Sequence, residues 1–224
     1  SSLLGQISPY LNVKAFGARG NGTTDDRNAI QAAFNAARTA GSKATVVFPV
    51  GNYRIVATKP IVGGNFNVEG QGGKLWVSLP TGYVWSGDWT NPQYYTATNV
   101  LDENGALITW NSWTNNAPWN GKTLVFEGFT DAVIRNLWID GGWGTTDAPG
   151  GVIPIKGIRD DGEEYTYYQL FSGCSGSTFD SCTMRNIPGA AVESGSNIKV
   201  LNSEFGDFGD HVFYFGSPST NLFF

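Results

Sequence analysis

Apolar and polar residues alternate in short runs through the second half of the chain. "FEGFTDAVIRNLWI" at 126–139 is matched by "FSGCSGSTFDSCTM" at 171–184 and more loosely by "VESGSNIKVLNSEF" at 192–205. Phe126, Phe171 and Val192 then share one position, Ile134, Phe179 and Val200 a second, and Ile139, Met184 and Phe205 a third. The alternation predicts strands with one buried face. Gly, Ser, Asn and Asp between them predict tight turns. Phe179 and Val200 are 21 residues apart, a solenoid-like period. Such a unit fits one coil of a parallel β-helix, stacked about 4.8 Å from the next and hiding its apolar side only through its neighbours. Asn136, Ser181 and Asn202 also fall in register. Each is expected at an inward or corner turn position, with its side chain bonding the backbone of an adjacent coil.

The spacing is uneven. Ile134 and Phe179 are 45 residues apart, so the chain inserts more than a coil's length within 140–168, as a long loop or as an irregular coil. Long loops tend to carry function. Earlier, "RNAIQAAFNAARTAG" puts Ile30, Ala33, Phe34 and Ala37 on one helical face, with Thr24 or Asp25 to start the helix and Gly41 to end it. "KATVVFPVGNYRI" predicts a strand, a turn and a second strand. The expected fold is all-β: a single-stranded right-handed parallel β-helix with an N-terminal capping α-helix. Residues 1–50 form the segment with the cap, and 51–224 the coils, with long aromatic-rich loops at about 80–120 and 140–168. "PSTNLFF" restarts the coil phrase and stops, so further coils, a cap or partner subunits are expected to cover that end.

"NVKAFGARGNGTTDDRNAIQAAFNAA" followed by "ATVVFPVGNYRI" resembles the N-terminal segment of the pectate-lyase-like right-handed β-helix superfamily, over roughly residues 12–56. That group includes pectin-degrading enzymes, certain glucanases and bacteriophage tailspikes. The resemblance implies a protein that recognises, and as an enzyme depolymerises, a bacterial surface polysaccharide. On the tailspike pattern it implies a homotrimer held with other tail proteins on a virion. A secreted pectin- or glucan-degrading enzyme and a non-catalytic adhesive β-helix are the alternatives. Localisation is accordingly virion or extracellular.

Composition narrows the classes. Thirty glycines, 14% aromatic and only 15% charged residues favour strands and turns over helices. A net charge of −5 argues against a nucleic-acid partner. No apolar run approaches the roughly 18 residues that a membrane helix needs, and "SSLLGQISPY" lacks the features of a signal peptide. Cys174 and Cys182 fit two small buried side chains better than a disulfide.

Candidate chemistry follows from elimination and from the coil alignment. The single histidine, His211, excludes a histidine-cluster metal site, and no metal or other cofactor is expected. Trp85, Trp89, Trp110, Trp113 and Trp143 lie among Asn, Thr, Gly and Pro, a mixture suited to stacking on sugar rings or to packing a subunit interface. Asp140, Arg185 and Gly206 are equivalent, with Asp207 one place on and Asp210 nearby. Two layers apart is on the order of 10 Å, near the about 6.5–9.5 Å separation of carboxyls in inverting glycosidases. Asp140, Asp207 and Asp210 are therefore the catalytic candidates, and Arg185 joins the tryptophans as a substrate-binding candidate. The plainer reading makes the aspartates turn formers at solvated corners. Asp160, Asp161, Glu163 and Glu164 suit a calcium site, an acid or a solvated loop tip.

Overall fold

The computed structural model describes residues 9–41, 44–56, 61–78, 123–142, 168–187, 191–208 and 212–214. The short opening elements are β1 (Tyr10–Asn12), a 3-10 turn at Val13–Phe16, β2 (Asn21–Asp25) and helix α1 (Arg27–Ala40). The layers then begin with β3 (Thr45–Val56) and β4 (Ile61–Val62), followed by β5 (Asn67–Ser78) and β6 (Thr123–Glu127). The third layer is β7 (Val133–Arg135), β8 (Trp138–Asp140) and β9 (Tyr168–Ser175). The fourth is β10 (Thr178–Asp180), β11 (Thr183–Ile187) and β12 (Val192–Ser196), and the fifth is β13 (Lys199–Leu201), β14 (Glu204–Phe208) and β15 (Phe213–Tyr214).

All named strand pairings are parallel, and each joins a layer to the next. This is the arrangement of a parallel β-helix. Three apolar columns run through it. Leu11, Val46, Val68, Ile134, Phe179 and Val200 stack on the first face. Tyr53, Leu75, Ile139, Met184 and Phe205 stack on the second. Ile61, Phe126, Phe171, Val192 and Phe213 stack on the third. The nine aligned residues of the repeat thus occupy the three columns that the alternation predicts, and the columns reach further back than the repeat alignment does, by three residues on the first face, two on the second and one on the third. Phe126 and Phe171 lie ring on ring, 5.0 Å apart at 18°.

The polar centres take the corner position, one of the two expected, but not the expected bond to an adjacent coil's backbone. Asn136, Ser181 and Asn202 are exposed and take φ of 53°, 54° and 49°. Asp131, Gly176 and Asn197 repeat this at the preceding corner, with φ of 49°, 61° and 54°. Each corner needs one left-handed residue, and Asn, Asp and Gly adopt that conformation at least cost. The side chains of Ser181 and Asn202 donate to Asp180 Oδ1, at 3.1 and 3.0 Å, rather than to a neighbouring coil's backbone.

Two N-terminal expectations change in detail. Residues 45–56 form one continuous strand with a register shift at Pro49, not strand–turn–strand. α1 is capped by Asp26, not by Thr24 or Asp25. Asp26 directs its carboxylate to the Arg19 and Gly20 amides, and Asp25 accepts instead from the Arg27 and Val56 amides. Gly41 ends the helix as expected, its N–H on the Ala37 carbonyl. The helix buries Ile30, Ala33, Phe34 and Ala37, and Phe34 meets Phe66, Phe126 and Phe129 at 5.1–6.1 Å. Gln31 bonds both the N–H and the carbonyl of Val62, and Arg38 adds a bond to that carbonyl. β4, an edge strand of the third face, thereby has its outer backbone satisfied by helix side chains.

The 140–168 insertion falls inside the third layer, between β8 and β9, and that layer still pairs with the layers on both sides of it. The inserted residues 143–167 themselves lie outside the described residues. Cys174 and Cys182 are buried free thiols.

Candidate functional site

Alternation along the second face sends every other residue outward. Two outward rows result. One carries Asn52, Lys74, Trp138, Thr183 and Glu204, and the other Arg54, Trp76, Asp140, Arg185 and Gly206. Strand stacking therefore brings two tryptophans, three cations and two carboxylates onto one strip, although they come from five layers.

Trp138 is the centre of this strip. Its ring lies 4.9 Å from that of Trp76 at a 59° tilt. Lys74 Nζ and the Arg185 guanidinium carbon each stand 4.9 Å from its ring centroid, inside cation–π range. Trp76 Nε1 reaches Asn52 Oδ1 at 3.4 Å. Arg54 is tied down by Ser78 Oγ and by the Thr23 carbonyl, at 2.9 and 3.0 Å.

Asp140 is only 1% exposed. Its Oδ1 accepts from the Gly142 amide at 2.8 Å, and its Oδ2 accepts from Asn186 Nδ2 at 2.7 Å and from Arg185 Nε at 3.3 Å. Arg185, by contrast, keeps 44% of its side chain in solvent. The geometry is that of a buried carboxylate anchoring a half-exposed guanidinium. Close packing makes the corner specific: a Cβ on Gly141 would overlap the Asn186 carbonyl oxygen.

The coil alignment that made Asp140, Arg185 and Gly206 equivalent matches the observed register. Asp207 lies in β14, one residue beyond Gly206. Its side chain is outside the described residues, as are Asp210, His211, Trp85, Trp89, Trp110, Trp113, Trp143 and the acidic run at 160–164. Their attachment points are described, however. Residues 79–122 connect the end of β5 to β6, and 143–167 connect Gly142 to β9. Both aromatic-bearing segments therefore connect a strand of the second face to a strand of the third, in successive layers. Among the described residues, no three of His, Cys, Asp and Glu come together as metal ligands. No described helix is long and apolar enough to cross a membrane.

Lys74, Trp76 and Trp138 are the residues missed by inspection of the sequence. The signal was present: "KLW" at 74–76 stacks on "WID" at 138–140 once the repeat is carried one layer back.

A family model described as rhamnogalacturonase A/epimerase, pectate lyase-like, matches residues 10–221. The chain belongs to that family. The individual proteins that the chain resembles match over short stretches or at low identity. Alginate lyase 7 of Azotobacter vinelandii is 59% identical over 44 residues, which is 20% of this chain and 5% of the relative. Mannuronan C5-epimerase AlgE4 of the same organism is 56% identical over 46 residues, 20% of this chain and 8% of the relative. The matched stretches thus span less than a tenth of these curated relatives. Among solved structures, the A-module of the AlgE4 epimerase superposes with a TM-score of 0.52 at 18% identity, covering 95% of this chain and 50% of that one. PfbA, a surface adhesin of Streptococcus pneumoniae, gives 0.51 at 17%, covering 88% and 38%. At such identities the superpositions speak for the fold, and it is the fold read from the strand register.

Proposed function

We propose that this pectate-lyase-like chain binds an acidic polysaccharide along the outer strip of its second face. The observation that carries the reading is Trp138 flanked by Lys74 and Arg185, beside Trp76. A flat indole suits the C–H face of a sugar ring, and the two cations suit acid groups on successive sugars. Three cations gathered on one face stand out in a chain of net charge −5. The alginate- and mannuronan-directed names of the short relatives support an acidic sugar.

The test is binding of alginate, a carboxylate-bearing polysaccharide, against neutral dextran by calorimetry. Alginate is expected to bind, dextran not, and Lys74→Ala and Arg185→Ala each to weaken binding by about tenfold, the worth of one charge-assisted contact. Equal binding of both glycans, or full affinity in both variants, overturns the reading.

For turnover we assign proton transfer to Asp207 and Asp210, with Asp140 held as an anchor by its burial. Loss of alginate cleavage or epimerisation in Asp207→Asn or Asp210→Asn, with binding kept, is the expected result. The tailspike setting, a homotrimer on a virion recognising a bacterial surface glycan, rests on the aromatic segments outside the described residues. A monomer in light scattering contradicts it. We also infer that the coil is right-handed, as parallel crossovers almost always are, and that α1 closes its N-terminal end. The Gln31 and Arg38 bonds to Val62 support the closure.

A further inference from the structure

Among the described residues no element covers the outer side of Arg185, and nearly half of its side chain is in solvent. A free arginine of that kind samples many rotamers, and ordering it costs conformational entropy. Its guanidinium is nevertheless found over Trp138. Two contacts hold it there, the ring below and Asp140 beside it. Asp140 is itself fixed from two other directions, by the Gly142 amide and by the Asn186 amide group. Gly142 takes a φ of 75°, which turns its N–H back toward the carboxylate. Asn186 takes a φ of 53°, a left-handed position within β11 that ordinary strand residues avoid. The backbone is thus bent at two places around one carboxylate whose only partly exposed partner is Arg185.

We infer that Asp140 is a positioning residue, which with Asn186 and Gly142 fixes Arg185 flat over Trp138 so that its free N–H groups face the glycan. The inference rests on the acidic-polysaccharide reading for the ligand, but not for the geometry. Replacing Asp140 by Asn isolates the effect. An amide presents one acceptor and one donor. With its oxygen toward Gly142, its NH2 opposes both the Asn186 NH2 and the Arg185 Nε–H, so the anchor is lost while the volume is kept.

Two measurements test it. In arginine-labelled protein, the Arg185 Nε–H NMR signal, identified by its disappearance in Arg185→Lys, is expected to be sharp and slow to exchange. In Asp140→Asn it should broaden or move to the solvent-exposed position, while core amide signals keep their dispersion. An unchanged Nε–H signal overturns the proposal. The second measurement is a double-mutant cycle on alginate binding. Asp140→Asn alone is expected to weaken binding about tenfold, the scale of one charge-assisted contact. In an Arg185→Ala background it should cost nothing further. Additive losses mean that Asp140 acts on the fold or the ligand directly, and overturn the proposal. Should alginate fail to bind the unaltered protein, the functional reading falls, and the Nε–H signal still decides whether Asp140 positions Arg185.

Discussion

At the scale of single residues, the corners and the thiols make the sharpest statements. Asn136 sits at a φ of 53° with its carbonyl pressed against Gly70, where a Cβ would overlap it. Asn136→Val forces a β-branched residue into the left-handed region and should cost about 1–2 kcal/mol in urea unfolding. Asn136→Gly should be neutral to within a few tenths. Equal destabilisation by both would contradict the conformational role. Burial pushes the Cys182 thiol up to about 11 and the Cys174 thiol up to about 12, from an ordinary value of 9.0. The folded state therefore binds these protons more tightly than the unfolded chain does. Their contribution is complete below pH 9 and is lost as pH rises toward 11 and 12, by up to about 1.4 kcal/mol per pH unit for each thiol. Unfolding free energies of the unaltered protein and of Cys174→Ala/Cys182→Ala should converge above pH 9, whereas parallel curves would refute the shifts.

At the scale of elements, α1 behaves as a substitute for a strand. Its Phe34 stacks on Phe126, which stacks on Phe171, so the third column continues into the helix. Phe34→Ala is expected to destabilise by about 3–5 kcal/mol, as a fully buried aromatic should, and to melt helix and coils in one transition. A separate, earlier loss of helix signal would show that α1 is not part of the same core. Much of this element-level picture was legible in the sequence. Ile134, Phe179 and Val200 fall in one column because alternation fixes the face and the recurring phrase fixes the layer, although the spacing changes from 45 to 21 residues. The first two layers escaped because β3 and β5 run through the corner without a break: Pro49 opposes two residues, and Gly70 and Gly73 let the chains approach. Short-strand phrases of the later kind do not occur there, so the repeat seemed to begin at Phe126. The helix start was misplaced by one or two residues because Thr24, Asp25 and Asp26 are equally good formers; the N-cap position falls on Asp26, whose carboxylate bonds the Arg19 and Gly20 amides instead of the helix, while Asp25 accepts from the Arg27 amide.

At the scale of the whole molecule, function depends on stacking. Lys74, Trp138 and Arg185 are far apart in sequence and become one surface only because three layers are in register. Inspection of the sequence placed Arg185 and Asp140 together, since both lie inside the visible repeat, but it could not bring in Lys74 or Trp76 from a layer it had not aligned. It looked for aromatics in the long segments, where composition is conspicuous, and passed over two tryptophans that strand alternation places on the outer rows, Trp76 buried there and Trp138 partly exposed. The most direct test of a glycan strip across these layers is an NMR titration of the protein with short alginate oligomers, following the tryptophan Nε1–H and arginine Nε–H signals. Saturable shifts at Trp76, Trp138 and Arg185, absent with dextran oligomers, are the predicted result. Saturable binding that leaves all three signals unmoved would contradict the account.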